Sequence, residues 1–242
     1  MQAWFESFKA DFVLNFVQAN RWTYLVEGLG ATLSITLLSG IMGTFIGIII
    51  AMIRSTYDKT APGARRTVGR SIFSVINGLC RLYLTVLRGT PVVVQLMIIY
   101  FVIFSWSDNG ILVAALAFGL NSGAYVAEIV RGGIMAIDNG QFEAGRSLGF
   151  NYVQTLRFVV IPQVVRNVLP SLANEFIALL KETSVAGYVA VQDLTKAGDI
   201  IRSRTYSPFL PLLAVASIYL TLVVFFSHLV GRLERRLRNY GR

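Results

Sequence analysis

Long uncharged intervals alternate along this chain with short polar stretches. No charged side chain occurs between Glu27 and Arg54, nor within residues 89–107, 109–127 and 205–231. Each interval is near or above the ~20 apolar residues that an α-helix needs to cross the hydrocarbon of a bilayer. A further segment, residues 167–191, is less pure, because it holds Glu175, Lys181 and Glu182. The pattern predicts an all-α polytopic membrane protein with five transmembrane helices, forming one transmembrane domain over residues 1–242. Asp108-Asn109-Gly110 reads as a tight turn that folds the second and third spans into a hairpin. Residues 71–87 are apolar enough to lie along the membrane or to begin the second span, and Pro62-Gly63 marks a turn before them. Gly40, Gly43 and Gly47 fall at spacing suited to close helix contact.

At the start, Phe5, Phe8, Phe12 and Phe16 recur at helical spacing with Glu6, Lys9 and Asp11 elsewhere on the turn. Residues 1–22 therefore predict an amphipathic helix in the membrane interface, anchored by Trp4 and Trp22. The competing expectation is a disordered start. The small basic region and cleavage site of a secretory signal are lacking, so this segment is expected to be retained.

Composition agrees with the pattern: 55% of residues are hydrophobic, 14% are charged and the mean hydropathy is +0.61. A net charge of +9 would suggest nucleic acid in a soluble protein, but here the basic residues cluster between apolar runs. Arg54, Lys59, Arg65, Arg66, Arg70, Arg81 and Arg88 face the single acid Asp58 in residues 54–88. Arg131, Arg146, Arg157 and Arg166 lie within and beside residues 137–162, and Arg232, Arg235, Arg236, Arg238 and Arg242 close the chain. The positive-inside rule then puts the amino terminus outside, with residues 137–162 and the carboxyl terminus in the cytoplasm. Cys80 is the only cysteine, so no intrachain disulfide forms. His228 stands alone and is a poor metal site, expected instead to bond within the inner end of the last span. No glycine-rich phosphate loop with its lysine appears, so ATP binding is not expected in this chain.

The polar stretch 139–149 has its own grammar. Asp138 can cap a short helix, Gln141 can reach back to the cap's N–H, and Gly149 should stop the helix in a left-handed turn. Glu143 and Arg146 are spaced to pair, and Phe142 is expected to point outward from a small helical knob. Alone, the stretch also fits an ordinary amphipathic helix in a loop.

Its spacing resembles the cytoplasmic signature loop of permease subunits of bacterial ATP-binding-cassette (ABC) importers. Glu143-Ala144-Gly145 is followed by Arg146-Ser147-Leu148, Gly149, the run 150–158, and Val159-Val160-Ile161-Pro162. Gly145, Val159 and Ile161 replace the usual Ala, Ile and Leu. Further residues resemble the polar amino acid uptake group: Leu87-Arg88-Gly89-Thr90-Pro91 with Gln95, Asn121-Ser122-Gly123-Ala124-Tyr125 with Glu128, Arg131-Gly132-Gly133, and Asn174-Glu175 with Lys181-Glu182-Thr183-Ser184. The resemblance covers residues 30–231 and implies several partners. These are an ABC ATPase dimer at the cytoplasmic face, a second permease, identical or homologous, an extracytoplasmic binding protein and an amino acid substrate, with no nucleic acid and no cofactor. It implies ATPase coupling through Asn139, Phe142, Glu143, Ala144, Gly145, Arg146, Gly149 and Pro162.

A charge inside a span costs roughly 2.5–3.5 kcal/mol, so Glu175 and Lys181 need partners or water. A free amino acid offers its ammonium to the first and its carboxylate to the second, although six residues turn a straight helix through about 120° net. The competing expectation is a local Lys181–Glu182 pair, with Glu175 bonded across a dimer. The resemblance favours substrate, and adds Asn174, Thr90, Gln95, Thr183 and Ser184 as polar contacts. Thr90 and Gln95 serve equally as helix–helix bonds. Pro91 fits the first turn of a helix. Tyr125, Glu128 and Arg131 read as structural, the last two pairing at three-residue spacing. An ion-coupled carrier or channel using Glu175 and Lys181 is the rival reading. It leaves the signature loop without a purpose and lacks the internal repeat such carriers often show. A membrane enzyme lacks a nucleophile–base or metal constellation.

Overall fold

The computed structural model describes residues 1–60 and 68–239. The expected Pro62-Gly63 turn lies outside the described residues. Among the described residues there are ten α-helices: α1 (Gln2–Phe12), α2 (Trp22–Thr60), α3 (Val68–Gly89), α4 (Val92–Ile98), α5 (Gly110–Met135), α6 (Asn139–Ser147), α7 (Tyr152–Thr155), α8 (Ile161–Glu182), α9 (Leu194–Thr205) and α10 (Phe209–Asn239). Wider π turns extend α1, α4 and α7, and a 3-10 stretch, Thr183–Val189, follows α8.

Among the described residues four helices are long and apolar enough to cross a membrane: Trp22–Lys59, Val68–Gly89, Gly110–Met135 and Phe209–Leu237. The expected second span, 89–107, is instead a short apolar helix, Val92–Ile103. Pro91 is the reason, because a proline has no N–H to continue a helix. It stands just before Val92 rather than inside the first turn, and α3 ends at Gly89. The expected fourth span, 167–191, only overlaps α8, which begins earlier and ends at Glu182, holds Pro162 in its first turn and Pro170 inside, and is not among the four.

Helix α1 forms as its periodicity predicts, with Trp4 stacked on Phe8 at 5.7 Å and both rings exposed. Ala19 and Asn20 take left-handed backbone angles and redirect the chain into α2. The expected Asp108-Asn109-Gly110 turn is displaced: the chain turns at 104–107, where Ser107 N–H donates to Phe104 C=O at 2.9 Å, and Asn109 instead caps α5 by accepting from Leu112 N–H at 3.1 Å.

The helices gather into two compact units. The first comprises α1, α2 through Ser39, α4, α5 through Phe118, α8 from Ile177, α9, and α10 through Leu229. In it α9 is capped by Asp193, whose carboxylate accepts from Lys196 N–H at 2.9 Å. Burial lifts the Asp193 carboxyl above its ordinary range in spite of these bonds. Thr32 on α2 accepts from Leu194 N–H at 3.0 Å, and Ser39 donates to Ala115 C=O at 2.9 Å. Asn15 joins Thr205 and Ser207, tying the start of the chain to the end of α9. His228 Nδ1 lies 3.2 Å from Val224 C=O, bonding within α10 as anticipated.

The second unit comprises α2 from Gly40, α3, α5 from Gly119, α6, α7, α8 through Phe176, and α10 from Val230. Here α2 and α5 approach closely. A Cβ at Gly43 would come within 3.1 Å of the Gly119 carbonyl oxygen, and one at Gly47 within 2.5 Å of Val126. Helix α3 runs antiparallel to α2: Phe73 meets Tyr57 at 5.6 Å, whereas Cys80, Tyr83 and Leu84 pack with Ile46 and Ile50. Near the far end of α3, Asn121 Nδ2 donates to Leu87 C=O at 3.2 Å. Asn121 is about 17 Å along α5 from Gly110, at ~1.5 Å per residue. The Gly89-Thr90-Pro91 break therefore falls partway along α5 and not at its end.

Candidate functional site

The 139–149 segment folds as its caps dictate. Asp138 Oδ1 accepts from Gly140 N–H at 2.5 Å, and α6 follows. At the other end Gly149 has φ +83°, Phe150 N–H donates to Gly145 C=O at 3.0 Å and Gly149 N–H to Arg146 C=O at 2.9 Å. These paired bonds and the left-handed glycine form a Schellman stop. Gln141 does not close a capping box. Its side chain accepts from Gln163 Nε2 at 3.2 Å, a tertiary partner on α8. The box forms one helix later, where Asn151 and Gln154 exchange bonds of 2.9 Å.

Phe142 does not point outward. Its ring is 8% exposed, stacks on Tyr152 at 5.9 Å and carries Lys59 Nζ 4.8 Å above its centroid. Below it lies an apolar core that includes Ile134, Ile137, Leu156 and Val160. Lys59 also donates to Asn139 Oδ1 at 2.6 Å, so α6 is clasped to the end of α2. Glu143 and Arg146 form no ion pair with each other; both are exposed on the wall of a cleft of about 320 Å³ shared with Lys59, Asn139, Tyr152 and Thr155. Ala144, Gly149 and Pro162 are exposed. Burial raises the Tyr152 phenol above its ordinary range, opposed by the nearby Thr56 side chain.

Gly145 is buried, and a Cβ there would lie 2.5 Å from both Cγ2 and Oγ1 of Thr155. The replacement of the usual alanine is thus matched to the β-branched residue opposite. Gly145→Ala is expected to cost about 1–3 kcal/mol through overpacking. Adding Thr155→Ser, which deletes the Cγ2 methyl, should recover part of it. Thermal unfolding in detergent checks this, and equal losses in the single and double variants would count against the contact.

A second polar cluster sits beyond the α2–α5 glycine contact, toward the carboxyl ends of α2 and α5. Glu128 Oε1 pairs with Arg54 at 2.8 Å, its Oε2 with Arg131 at 2.9 Å and with Arg88 at 4.0 Å. Arg131 also reaches Asp58 at 3.6 Å, and Arg88 lies over the Tyr125 ring at 5.5 Å. The Glu128–Arg131 pair is as spacing predicted. Arg54, Asp58 and Arg88 join from other helices, which no local spacing reveals.

The candidate substrate residues divide between the two units. In the second unit Glu175 is half-buried and accepts from Ser122 Oγ at 3.0 Å, Asn174 is exposed beside it, and Thr90 donates to Val86 C=O at 2.8 Å. In the first unit Gln95 is buried, Ser184 is half-buried, and Thr183 donates to Leu180 C=O at 2.8 Å and meets Thr36 at 3.4 Å. Lys181 is exposed and forms no ion pair with a described residue, so the local Lys181–Glu182 pair is not made. Ser122 is not among the residues that the sequence marks for binding; its one signal is its place beside Asn121 in the charge-free part of α5.

A capped, exposed helix between α5 and α8 of a multi-pass helical chain is the arrangement that the resemblance to transport permeases implies, and comparison with known proteins gives that class. The chain belongs to the family described as "Binding-protein-dependent transport system inner membrane component", whose pattern matches residues 64–239. It is 36% identical over 218 residues to the glutamine transport system permease protein GlnP of Escherichia coli (strain K12), covering 88% of this chain and 93% of that protein. It is 34% identical over 229 residues to the L-cystine transport system permease protein TcyB of Bacillus subtilis (strain 168), covering 93% and 92%. The arginine transport system permease protein ArtQ of the same organism is 32% identical over 219 residues, covering 89% of this chain and 93% of that protein. A crystal structure of an amino acid ABC transporter with histidines superposes with a TM-score of 0.78 at 37% identity, covering 91% of this chain and 98% of that one. The inward-facing MetNI methionine ABC transporter shares the fold, with a TM-score of 0.72 at 20% identity, covering 89% and 97%. The protein is thus a permease subunit of an ABC importer in the inner membrane, and in this family the ATPase is a separate subunit.

Proposed function

We propose that this chain pairs with a second permease, identical or homologous, to line a path for a polar or charged amino acid. An ATPase dimer acts on residues 139–149, and an extracytoplasmic binding protein delivers the substrate. The observation that carries the reading is Glu175: a half-buried carboxylate on an apolar helix whose hydrogen-bond partner is the Ser122 hydroxyl, with no cation paired to it among the described residues. A carboxylate so placed favours an incoming ammonium. Lys181, exposed on the same helix, is the matching partner for a substrate carboxylate. The relatives named for glutamine, arginine and L-cystine all handle molecules with these two groups. Asn174, Thr90 and Ser184 add polar contacts, while Thr183 and Gln95, being buried, hold the backbone around them.

The chain crosses five times, starting outside and ending in the cytoplasm. The depth of the Leu87–Asn121 bond supports reading α3 and α4 together as one broken second span. The exposed residues Glu143, Ala144 and Arg146, with Asn139, Gly149 and Pro162 nearby, form the ATPase contact. Phe142 and Gly145 act from beneath it. Alternation between two packings opens the path to either side.

The test is a gentle-detergent pull-down of the tagged chain from its native cells, with ATP-driven uptake of radiolabelled glutamine, arginine and cystine. An ATPase is expected with the wild type. Gly149→Asp, which strains the left-handed stop, should insert normally and yet lose the ATPase and uptake. Glu175→Gln should keep the ATPase and lower uptake by about tenfold or more. Uptake that survives removal of every co-purifying ATPase would overturn the reading in favour of a carrier.

A further inference from the structure

In an uninterrupted helix the Leu87 carbonyl would accept from the N–H four residues on. That residue is Pro91, which has no N–H. The carbonyl is met instead by Asn121 Nδ2 at 3.2 Å, from a side chain 4% exposed in the interior of α5. One carbonyl earlier the break is handled differently, since Thr90 Oγ1 turns back onto Val86 C=O at 2.8 Å. Tyr83 holds the neighbouring turn of α3 on the same part of α5 by donating to Leu120 C=O at 2.5 Å. The residue after Asn121 is Ser122, whose hydroxyl binds Glu175 at 3.0 Å. A single turn of α5 thus addresses both the end of α3 and the carboxylate of α8.

We propose that Asn121 is a positioning residue that replaces the backbone donor missing at Pro91, fixing where α3 stops relative to Ser122 and Glu175. The side chain must donate, because its partner is a carbonyl oxygen. An ionised aspartate there would only accept, and a leucine would do neither. A break held in this way presents the Gly89-Thr90 backbone at one defined depth. The functional half of the inference rests on the proposed amino acid path; the structural half does not.

A double-mutant cycle on the full chain separates the two halves. Pro91→Ala restores an N–H that can reach Leu87 C=O, so it should make Asn121 dispensable. Asn121→Leu and Asn121→Asp are each expected to lower the unfolding temperature in detergent, and to lower it by less than half as much in the Pro91→Ala background. If Asn121→Leu accumulates only in that background, the proposal is equally supported. Additive shifts, or failure to accumulate in both backgrounds, overturn it. For the functional half, Asn121→Asp in proteoliposomes with its ATPase and its binding protein should raise the KM for radiolabelled glutamine about tenfold with Vmax within about twofold. A fall in Vmax alone would overturn positioning at the substrate. Absence of glutamine uptake by the wild type counts against the amino acid path, while the thermal cycle still decides the Asn121–Pro91 coupling.

Discussion

Gly47→Ala and Gly30→Ala, two identical changes on one helix, are expected to move stability in opposite directions. At Gly47 the added methyl meets Val126 Cγ1 at 2.5 Å, Val126 Cβ at 2.6 Å and the Ala127 backbone nitrogen at 2.9 Å. None of these is the free end of a flexible side chain, so α2 and α5 must separate. Overpacking of that kind costs typically 1–3 kcal/mol and occasionally more, and here the upper end applies because backbone is involved. At Gly30 nothing lies within 4 Å of the added carbon. Only the helix propensity changes there, by about 0.8–1.0 kcal/mol in favour of alanine in water. Thermal unfolding in one detergent gives both values, and a neutral Gly47→Ala would mean that α2 and α5 do not touch as described.

Glu128→Ala should be the more damaging of the side-chain truncations. The carboxylate serves Arg54 and Arg131 at once, and Arg54 is only 14% exposed. Removing one member of a buried pair costs about 3–5 kcal/mol. Glu128 itself retains 22% exposure, so water softens the loss, and about 2–3 kcal/mol is expected. Glu128→Gln should lie between, since an amide still accepts one bond. Replacing Arg54 and Glu128 together by methionine should recover part of the stability, because no guanidinium is then stranded at residue 54. Greater damage from the double variant than from Glu128→Ala would show that the arginine is stable alone.

Local chemistry was readable where a residue acts on its own backbone. Asp138 and Gly149 do so, and each lies where the chain predicts; Asn109 also acts on its own backbone, but as the cap of α5, the turn itself falling at 104–107. The Glu128–Arg131 pair belongs with them, since both ends sit on one helix. Reading failed where the deciding partner is distant in sequence. Phe142 turns inward because Tyr152 and the core beneath it offer a face, and a helix as short as α6 does not announce which side is covered. Gln141 finds Gln163 in preference to its own cap for the same reason. A charge-free run does not bound the second candidate span, because α3 carries Arg81 and Arg88 within it and Arg88 is answered by Glu128 on α5. The cap at Asp193 shows the opposite lapse: an aspartate directly before a helix is a legible start signal, and the stretch carrying it offered no recognised motif.

Phe142 lies under its own helix, so the surface that α6 offers to another protein carries no aromatic anchor. Glu143, Ala144, Arg146 and Ser147 remain on it, two of them charged and two small. Attraction across such a surface is screened over about 8 Å at physiological ionic strength. The proposed ATPase contact on this helix should therefore loosen with added salt, while the apolar packing of Phe142 against Tyr152 and the core beneath it should not.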